Sequence, residues 1–205
     1  MGEQDTMTAN SLRTFRIILW TLVALVAAGA TALFVFQPPA RPLGITGQAF
    51  ALNSTKGGAF TQDDLVGTPS LIFFGYTFCP DVCPTTLAET TAIREQLGLT
   101  PEQLRIIFVS VDPERDTLDM VKGYVEGFDP SIIGLVASSL EENENAKAAF
   151  GVFSEKAGEP GDPYYLVNHT ALTFLVNADG SFQGTIAYEE DQETAAAKVK
   201  RLVQG

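Results

Sequence analysis

The sequence predicts an α/β fold: a mixed sheet with helices on both faces, preceded by one transmembrane helix. Two apolar runs, at 70–75 (SLIFFG) and 105–111 (RIIFVSV), have the length and composition of strands buried on both faces of a sheet. Each run is followed by a helix-like segment, and the chain ends in further strand-like runs and a helix. This order is typical of a mixed sheet that is covered on both sides.

Residues 17–36 (IILWTLVALVAAGATALFVF) predict a transmembrane anchor. The run contains 20 residues without a charge, and about 20 apolar residues span a bilayer as a helix. Arg13 and Arg16 precede the run and only Arg41 follows it closely, so the positive-inside rule makes residues 1–16 a cytoplasmic tail.

A cleavable signal peptide is the alternative interpretation. Ala28-Gly29-Ala30 and Ala30-Thr31-Ala32 have the small-residue form of a cleavage site. The apolar run continues through 33–36, however, where a polar region would be expected, so we predict that the anchor is retained. In both interpretations the domain is exported. The acidic, arginine-poor amino terminus differs from a mitochondrial transit peptide, which favours a bacterial inner membrane with the domain in the periplasm.

The segments around the anchor are predicted from composition. Residues 1–12 are polar and without periodicity, which predicts disorder. Residues 37–47 (QPPARPLGITG) form a proline-rich, semi-rigid linker. Residues 48–205 form the globular domain.

The first half of the domain is predicted as a hairpin, a strand and a helix. A turn at Lys56-Gly57-Gly58 joins strands at 49–52 and 58–60. Residues 61–64 open a short helical turn, since a threonine precedes two acids. The buried strand 70–75 then ends at a glycine, and spaced apolar residues predict a helix from about Asp81 to Leu97.

The second half is predicted to continue the alternation. The predicted elements are a strand at 105–111, a helix at 118–127, a strand at 132–136, a helix at 140–150, a loop or weak hairpin at 153–161, strands at 164–168, 171–177 and 182–186, and a helix at 191–203. Asn177-Ala178-Asp179-Gly180 supplies a tight turn between the last two strands. Acids at the start of the final helix and basic residues at its end suit the helix dipole. The pattern fits a thioredoxin-like domain with an extra amino-terminal hairpin.

Composition limits the classes of function. The chain has 205 residues, 45% of them hydrophobic, which suits one domain with appendages. Its formal net charge is −12 and no basic stripe is present, which excludes nucleic acid as a partner because phosphates would repel it.

Both cysteines of the chain lie in the segment Cys79-Pro80-Asp81-Val82-Cys83. The segment follows a buried strand and begins a helix, a position in which helix amides lower a thiol pKa. Helical spacing would place the two Cα atoms roughly 6 Å apart, which suits either a disulfide or two sulfurs on one metal ion. Pro84 disfavours helical dihedrals at Cys83, so part of the segment is predicted as loop. A chance pair of buried thiols is the alternative.

His169 is the only histidine. A lone histidine is usually structural, but this one lies at a strand break and is the only imidazole that could complete a site with the thiols. Two cysteinates and one imidazole favour Cu(I) and also hold Cu(II) or Zn(II). The spacing alone does not show that His169 meets the cysteines.

Three segments together resemble the Sco/SenC family: 78–84 (FCPDVCP), 110–117 (SVDPERDT) and His169-Thr170. That family consists of membrane-anchored, thioredoxin-like copper proteins that help to assemble the dinuclear copper site of cytochrome c oxidase. The resemblance extends from about Leu43 to Leu202 and includes the anchor. It implies copper ligands at Cys79, Cys83 and His169. Asn168 departs from the family, which commonly has an acid before this histidine.

The leading hypothesis is therefore a copper chaperone for cytochrome c oxidase. Its expected partners are the copper-bearing subunit of the oxidase and other periplasmic copper chaperones or thiol reductases. The alternatives are a thiol-disulfide oxidoreductase that uses Cys79 and Cys83 to reduce partner cysteines before metal insertion, and a redox or copper sensor. A peroxidase is disfavoured because Tyr76 and Pro80 occupy the positions of the threonine that peroxiredoxins place three residues before the reactive cysteine.

Three acids near these segments have ordinary structural interpretations. Asp81 is predicted as a first-turn helix acid that the dipole stabilises. Asp112 and Asp116 bracket a strand end and a helix start, so we predict that they cap the helix.

Overall fold

The computed structural model describes residues 4–36, 45–159 and 161–205, which divide into an amino-terminal unit and a compact domain. The amino-terminal unit is a helix, α1 (Gln4–Phe36). Its stretch Leu12–Thr31 is long and apolar enough to cross a membrane, with a mean hydropathy of 1.7. The disorder predicted for residues 1–12 is not found from Gln4 onward, because adding residues to an established helix costs little compared with starting one. Most of the predicted linker, residues 37–44, lies outside the described residues.

The domain contains nine described strands and four described helices, together with one short 3-10 helix at Gln62–Leu65. The strands are β1 (Ala51–Ser54), β2 (Ala59–Thr61), β3 (Ser70–Gly75), β4 (Arg105–Ser110), β5 (Ile133–Val136), β6 (Ser154–Ala157), β7 (Leu166–His169), β8 (Leu172–Val176) and β9 (Phe182–Ala187). The helices are α2 (Val82–Gln96), α3 (Leu118–Glu126), α4 (Leu140–Phe150) and α5 (Gln192–Gln204). The predicted alternation of strands and helices is confirmed, including the extra hairpin β1–β2.

Seven strands form one mixed sheet in the order β2-β1-β5-β4-β3-β8-β9. Strands β3, β4 and β5 are parallel, whereas β8 is antiparallel to β3. The carboxyl ends of β3 and β4 therefore lie at the same edge of the sheet as the amino end of β8. This edge carries the site described below.

The two central strands are buried on both faces, as their unbroken apolarity predicted. Phe73 and Phe108 lie on one face, where the Phe108 ring packs 5.6 Å from the ring of Tyr124 in α3. Phe74 lies on the other face, and its ring is 5.3 Å from that of Phe150 in α4. Helices therefore cover both faces of the sheet.

Strands β6 and β7 form a separate two-stranded ribbon outside the main sheet. The sequence predicted a loop or weak hairpin at 153–161 and an independent strand at 164–168, and the structure pairs the two segments with each other. The cause is the composition of β6 (SEKA), which is too polar to be buried in the sheet. A ribbon of this size is marginal by itself, so its placement depends on contacts with the rest of the domain.

Candidate metal centre

The cysteine segment joins strand β3 to helix α2 at the carboxyl edge of the sheet. Cys79 lies in the loop, and its backbone N–H donates to the Tyr76 carbonyl at 3.3 Å. Asp81 is the residue before the helix and makes no capping hydrogen bond with its side chain, so it is not a first-turn residue. Cys83 is the second residue of α2, and Pro84 is tolerated because amides of the first turn lack helical partners. The motif is therefore half loop and half helix. The loop half is residues 79–81, and Cys83 is helical although Pro84 disfavours that conformation at the residue before it.

Helix α2 directs a backbone amide at the first thiol. The backbone N–H of Cys83 donates a hydrogen bond to Cys79 Sγ at 3.3 Å. The amino-terminal end of a helix stabilises negative charge in this way. Cys79 is partly exposed, whereas Cys83 is fully buried.

His169 meets the cysteines although it follows Cys83 by 86 positions. It is the last residue of β7, just before β8 enters the main sheet beside β3. Its Nε2 lies 3.6 Å from Cys83 Sγ. The sulfurs of Cys79 and Cys83 and one ring nitrogen of His169 all lie within 4.8 Å of one another.

The imidazole is oriented by its neighbours. His169 Nδ1 lies 3.1 Å from the Thr170 carbonyl oxygen, which only accepts, so Nδ1 carries the proton in the neutral ring. Nε2 then presents its lone pair towards the thiols, the arrangement found in metal-binding histidines. The rings of Phe73 and Tyr76 pack edge-on against the imidazole, at 5.9 Å and 5.8 Å between centroids.

The pKa values of the two thiols are shifted in opposite directions. A hydrogen bond from the Cys83 side chain is the largest effect that lowers the pKa of Cys79, to about 4, and His169 contributes in the same direction. The same hydrogen bond and burial raise the pKa of Cys83 above its usual value. The metal-free pair therefore favours a thiolate at the partly exposed Cys79 and a protonated thiol at Cys83.

Gly75 is required by the close approach of α2. A Cβ at this position would lie 2.8 Å from Cys83 Sγ and 2.9 Å from carbons of the Phe73 and Phe108 rings. Contacts this short are not tolerated without movement of the neighbours, so any larger residue would displace the buried thiol.

Asp116 holds the loop in front of the cysteines. Its buried carboxylate accepts hydrogen bonds from the Thr77 N–H at 3.1 Å, the Thr77 hydroxyl at 2.5 Å and the Ser110 hydroxyl at 2.7 Å. The prediction that Asp116 caps α3 is wrong, because Thr117 caps that helix by accepting from the Met120 N–H at 3.2 Å. Burial raises the pKa of Asp116, and these hydrogen bonds partly offset the shift.

Asp112 is also a buried anchor and does not cap the helix. It accepts from Arg115 Nε at 2.6 Å and from the Tyr165 hydroxyl at 2.7 Å. Sequence reasoning did not assign functions to Gly75, Arg115 or Tyr165. The available signals were the glycine at the end of β3 and the polar segment 110–117, which the family resemblance includes.

The fold and the site define a class of protein. This is a thioredoxin-like domain in which two thiols and one imidazole converge at the carboxyl edge of the sheet. Such a set of donors is soft and suits copper or zinc better than magnesium or calcium.

Comparison with known proteins identifies the family. The model of the SCO1/SenC family matches residues 39–204, so the chain belongs to this family. A SCO2-like protein of Rickettsia felis is 36% identical over 137 residues, which are 66% of this chain and 66% of that protein. The human mitochondrial SCO1 homolog is 32% identical over 157 residues, which are 76% of this chain and only 52% of that protein. The chain is also similar to the structure of Bradyrhizobium japonicum ScoI with copper bound, with 39% sequence identity and a TM-score of 0.67. The match covers 75% of this chain and 97% of that protein.

Proposed function

We propose that this chain is a membrane-anchored copper chaperone that serves the dinuclear copper site of cytochrome c oxidase. The observation that carries the proposal is the convergence of Cys79, Cys83 and His169, whose ligand atoms lie within 4.8 Å of one another. Copper is supported as the metal by the softness of two thiolates and an imidazole, and by the copper bound in the Bradyrhizobium relative. The role in oxidase assembly rests on membership of the family.

The exposure of the ligands suits transfer as well as binding. Cys83 is fully buried, so it would be the ligand that holds the ion to the domain. Cys79 and His169 are partly exposed at the edge of the sheet. A partner's ligands would approach from this side and replace the two exposed donors before the buried one.

Anchoring places the domain near its target. We propose that α1 crosses the bacterial inner membrane, with residues 1–16 in the cytoplasm and the domain in the periplasm. The charge-free stretch of α1 and the preceding arginines support this orientation. The copper-bearing subunit of cytochrome c oxidase would then be reached on the same side, and periplasmic copper chaperones or thiol reductases would supply and reduce the site.

The acidity of the cysteines supports thiol-disulfide oxidoreduction as a second candidate function. Cys79 is partly exposed with a low pKa, whereas Cys83 is buried with a high pKa, as in a nucleophile and its resolving partner. The Cys79 thiolate would attack a partner disulfide, releasing one partner thiolate and forming a mixed disulfide. Cys83 would lose its proton and displace the second partner sulfur, which leaves a Cys79–Cys83 disulfide and a partner reduced by two electrons. Such a disulfide would have to be reduced before copper loading, which also makes the site suitable for a sensor.

The test uses the reduced full-length protein in detergent, titrated with copper under anaerobic conditions. We expect one copper ion per chain and, with Cu(II), a thiolate charge-transfer band that Cys79→Ser and Cys83→Ser abolish. His169→Ala should weaken binding of Cu(II) most, while largely sparing reduction of a model disulfide. Unchanged spectra and stoichiometry in both cysteine variants would contradict the site.

Host cells separate the two functions. In a strain without its own copy and at limiting copper, His169→Ala should lower cytochrome oxidase activity as much as Cys79→Ser does. If His169→Ala supports normal oxidase activity and Cys79→Ser does not, thiol reduction is the physiological function. A control is Thr90→Ser, which removes a buried methyl group from α2 and keeps the hydroxyl that donates to the Thr86 carbonyl at 2.8 Å.

A further inference from the structure

We propose that Arg115 is a positioning residue that sets the distance between the imidazole of His169 and the two thiols. This inference rests on the proposed copper function, because the distance matters to function only if the three side chains bind one metal ion. The structural observation is that Arg115 contacts both of the segments that carry ligands, although it supplies no ligand itself.

The histidine side of the site depends on side-chain contacts. His169 ends β7, and β7 pairs only with β6 and not with the main sheet. The chain enters the main sheet only at Leu172, so β8 fixes the carboxyl side of His169. The approach to β7 from its amino side, at residues 163–165, must be held by other contacts.

Arg115 supplies these contacts to the histidine side. Its Nη1 donates to the Tyr165 carbonyl at 2.8 Å, directly before β7, and lies 3.4 Å from the Pro163 carbonyl. Its guanidinium carbon lies 3.6 Å from the centroid of the Tyr165 ring. Asp112, which is almost fully buried, fixes both partners by accepting from Arg115 Nε at 2.6 Å and from the Tyr165 hydroxyl at 2.7 Å.

The same guanidinium reaches the cysteine side. Its carbon lies 5.0 Å from the ring centroid of Phe78, the residue directly before Cys79, and 5.8 Å from that of Tyr76. These distances lie within the range of cation–π attraction. Arg115 Nη2 is buried and has no hydrogen-bond partner among the described residues.

The neighbours of Arg115 in sequence reinforce the arrangement. Asp116 accepts from Thr77 on the cysteine side, and Glu114 forms an ion pair with Lys156 of β6 on the histidine side. The turn 112–116, which we name the bracket, therefore joins the two sides of the site. Within the bracket, the side chain of Arg115 contacts both sides.

Lysine cannot replace arginine in this position. It keeps the charge but lacks the planar fork that donates to Asp112 and Tyr165 and at the same time stacks on the Tyr165 ring. Arg115→Lys should therefore loosen β7 without removing any ligand. Changes in groups that orient metal ligands typically weaken metal binding 10–100-fold, and we expect a loss of Cu(II) affinity of about tenfold or more.

Arg105→Lys is the matched control. Arg105 is likewise a partly buried guanidinium that donates to backbone carbonyls, of Asp64 at 2.7 Å and of Leu65 at 3.0 Å, but it lies at the start of β4, opposite the edge that carries the site. Both variants lose a similar set of hydrogen bonds. Only Arg115→Lys should change the copper site.

The experiment compares the two variants in the reduced full-length protein in detergent. Arg115→Lys should shift the Cu(II)–thiolate absorption band and lower the Cu(II) affinity at unchanged stoichiometry, while Arg105→Lys leaves both as in the wild type. In the metal-free protein, the NMR signals of the His169 ring should move in Arg115→Lys alone. Wild-type spectra and affinity in a folded Arg115→Lys protein would overturn the proposal.

Tyr165→Phe and the metal-free wild type provide further tests. If Arg115→Lys does not fold, Tyr165→Phe removes only the hydroxyl that donates to Asp112, and it should shift the band in the same direction by a smaller amount. A wild-type band in Tyr165→Phe would then overturn the proposal. If even the wild type binds no copper, the proposed function fails, and the NMR comparison of the metal-free proteins still decides whether Arg115 positions the ring.

Discussion

Cys83 Sγ lies 3.6 Å from His169 Nε2, across 86 positions of sequence. The contact exists because β8 runs antiparallel to β3, which brings the residues before β8 to the edge where the cysteine segment begins. The imidazole nitrogen thereby joins the two sulfurs in one group, whose ligand atoms lie within 4.8 Å of one another.

The first prediction concerns the tautomer of His169. Because Nδ1 faces the Thr170 carbonyl at 3.1 Å, the neutral ring should carry its proton on Nδ1 and leave Nε2 bare. Long-range nitrogen–proton NMR spectra of the metal-free protein distinguish the two tautomers. A ring protonated at Nε2 alone would contradict the orientation described here.

The second prediction concerns Gly75. Gly75→Ala should destabilise the domain by about 1–3 kcal/mol, the usual cost of inserting a carbon into a packed core, and should weaken copper binding because Cys83 is displaced. Gly184→Ala is the control, since a Cβ at this other strand glycine would meet nothing within 4 Å. Thermal unfolding should be followed by circular dichroism, because the only tryptophan, Trp20, lies in α1. Equal stabilities of the two variants would show that the close approach is unimportant.

The third prediction concerns Asp116. Asp116→Asn replaces an oxygen that accepts from Thr77 or Ser110 with an NH₂ group, which leaves buried donors facing each other and should cost about 1–3 kcal/mol. The loop before Cys79 should also exchange its amide hydrogens faster. Asp119→Asn changes an exposed acid in the first turn of α3 and serves as the control. Amide exchange at Thr77 as slow as in the wild type would argue against the assigned role.

The fourth prediction concerns the pH dependence of thiol reactivity. Because the pKa of Cys79 is lowered to about 4, its thiolate is fully formed well below neutral pH. Alkylation of Cys79 in the reduced, metal-free protein should therefore change little between about pH 6 and pH 8, whereas a thiol of ordinary pKa, about 8.5, would react nearly tenfold faster per pH unit. Peptide mapping by mass spectrometry measures the rate at each cysteine.

Two variants test the cause of the lowered pKa. Cys83→Ala removes the hydrogen-bond donor beside Cys79 and should restore the pH dependence, whereas Cys83→Ser retains a donor and should restore less of it. A pH profile in Cys83→Ala as flat as that of the wild type would show that the side chain at position 83 does not set the acidity of Cys79.

The fifth prediction concerns the anchor. Residues 17–36 should be retained in the mature protein, because the apolar run continues beyond the small-residue sites at Ala30 and Ala32. Intact-mass measurement of protein extracted from membranes gives the mature amino terminus. A terminus near Leu33 would establish cleavage and remove membrane anchoring by α1 from the proposal.

The sequence by itself determined the elements of the fold and half of the site. An unbroken apolar run is a property of adjacent residues, so the runs at 70–75 and 105–111 identify buried strands without reference to distant parts of the chain. The cysteine segment is local in the same sense, because Cys79 and Cys83 are brought together by one strand-to-helix turn.

The tertiary structure alone decided the rest, because those contacts join segments that are distant in the chain. No local pattern states that His169 meets Cys83, that β7 pairs with β6 outside the main sheet, or that Asp116 binds Thr77 in place of capping α3. Asp112 and Asp116 lie between a strand end and a helix start, so the local sequence predicted that they cap the helix. The fold instead surrounds both carboxylates with donors, from Thr77 and Ser110 for Asp116 and from Arg115 and Tyr165 for Asp112. A buried carboxylate is stabilised most by the donors that surround it.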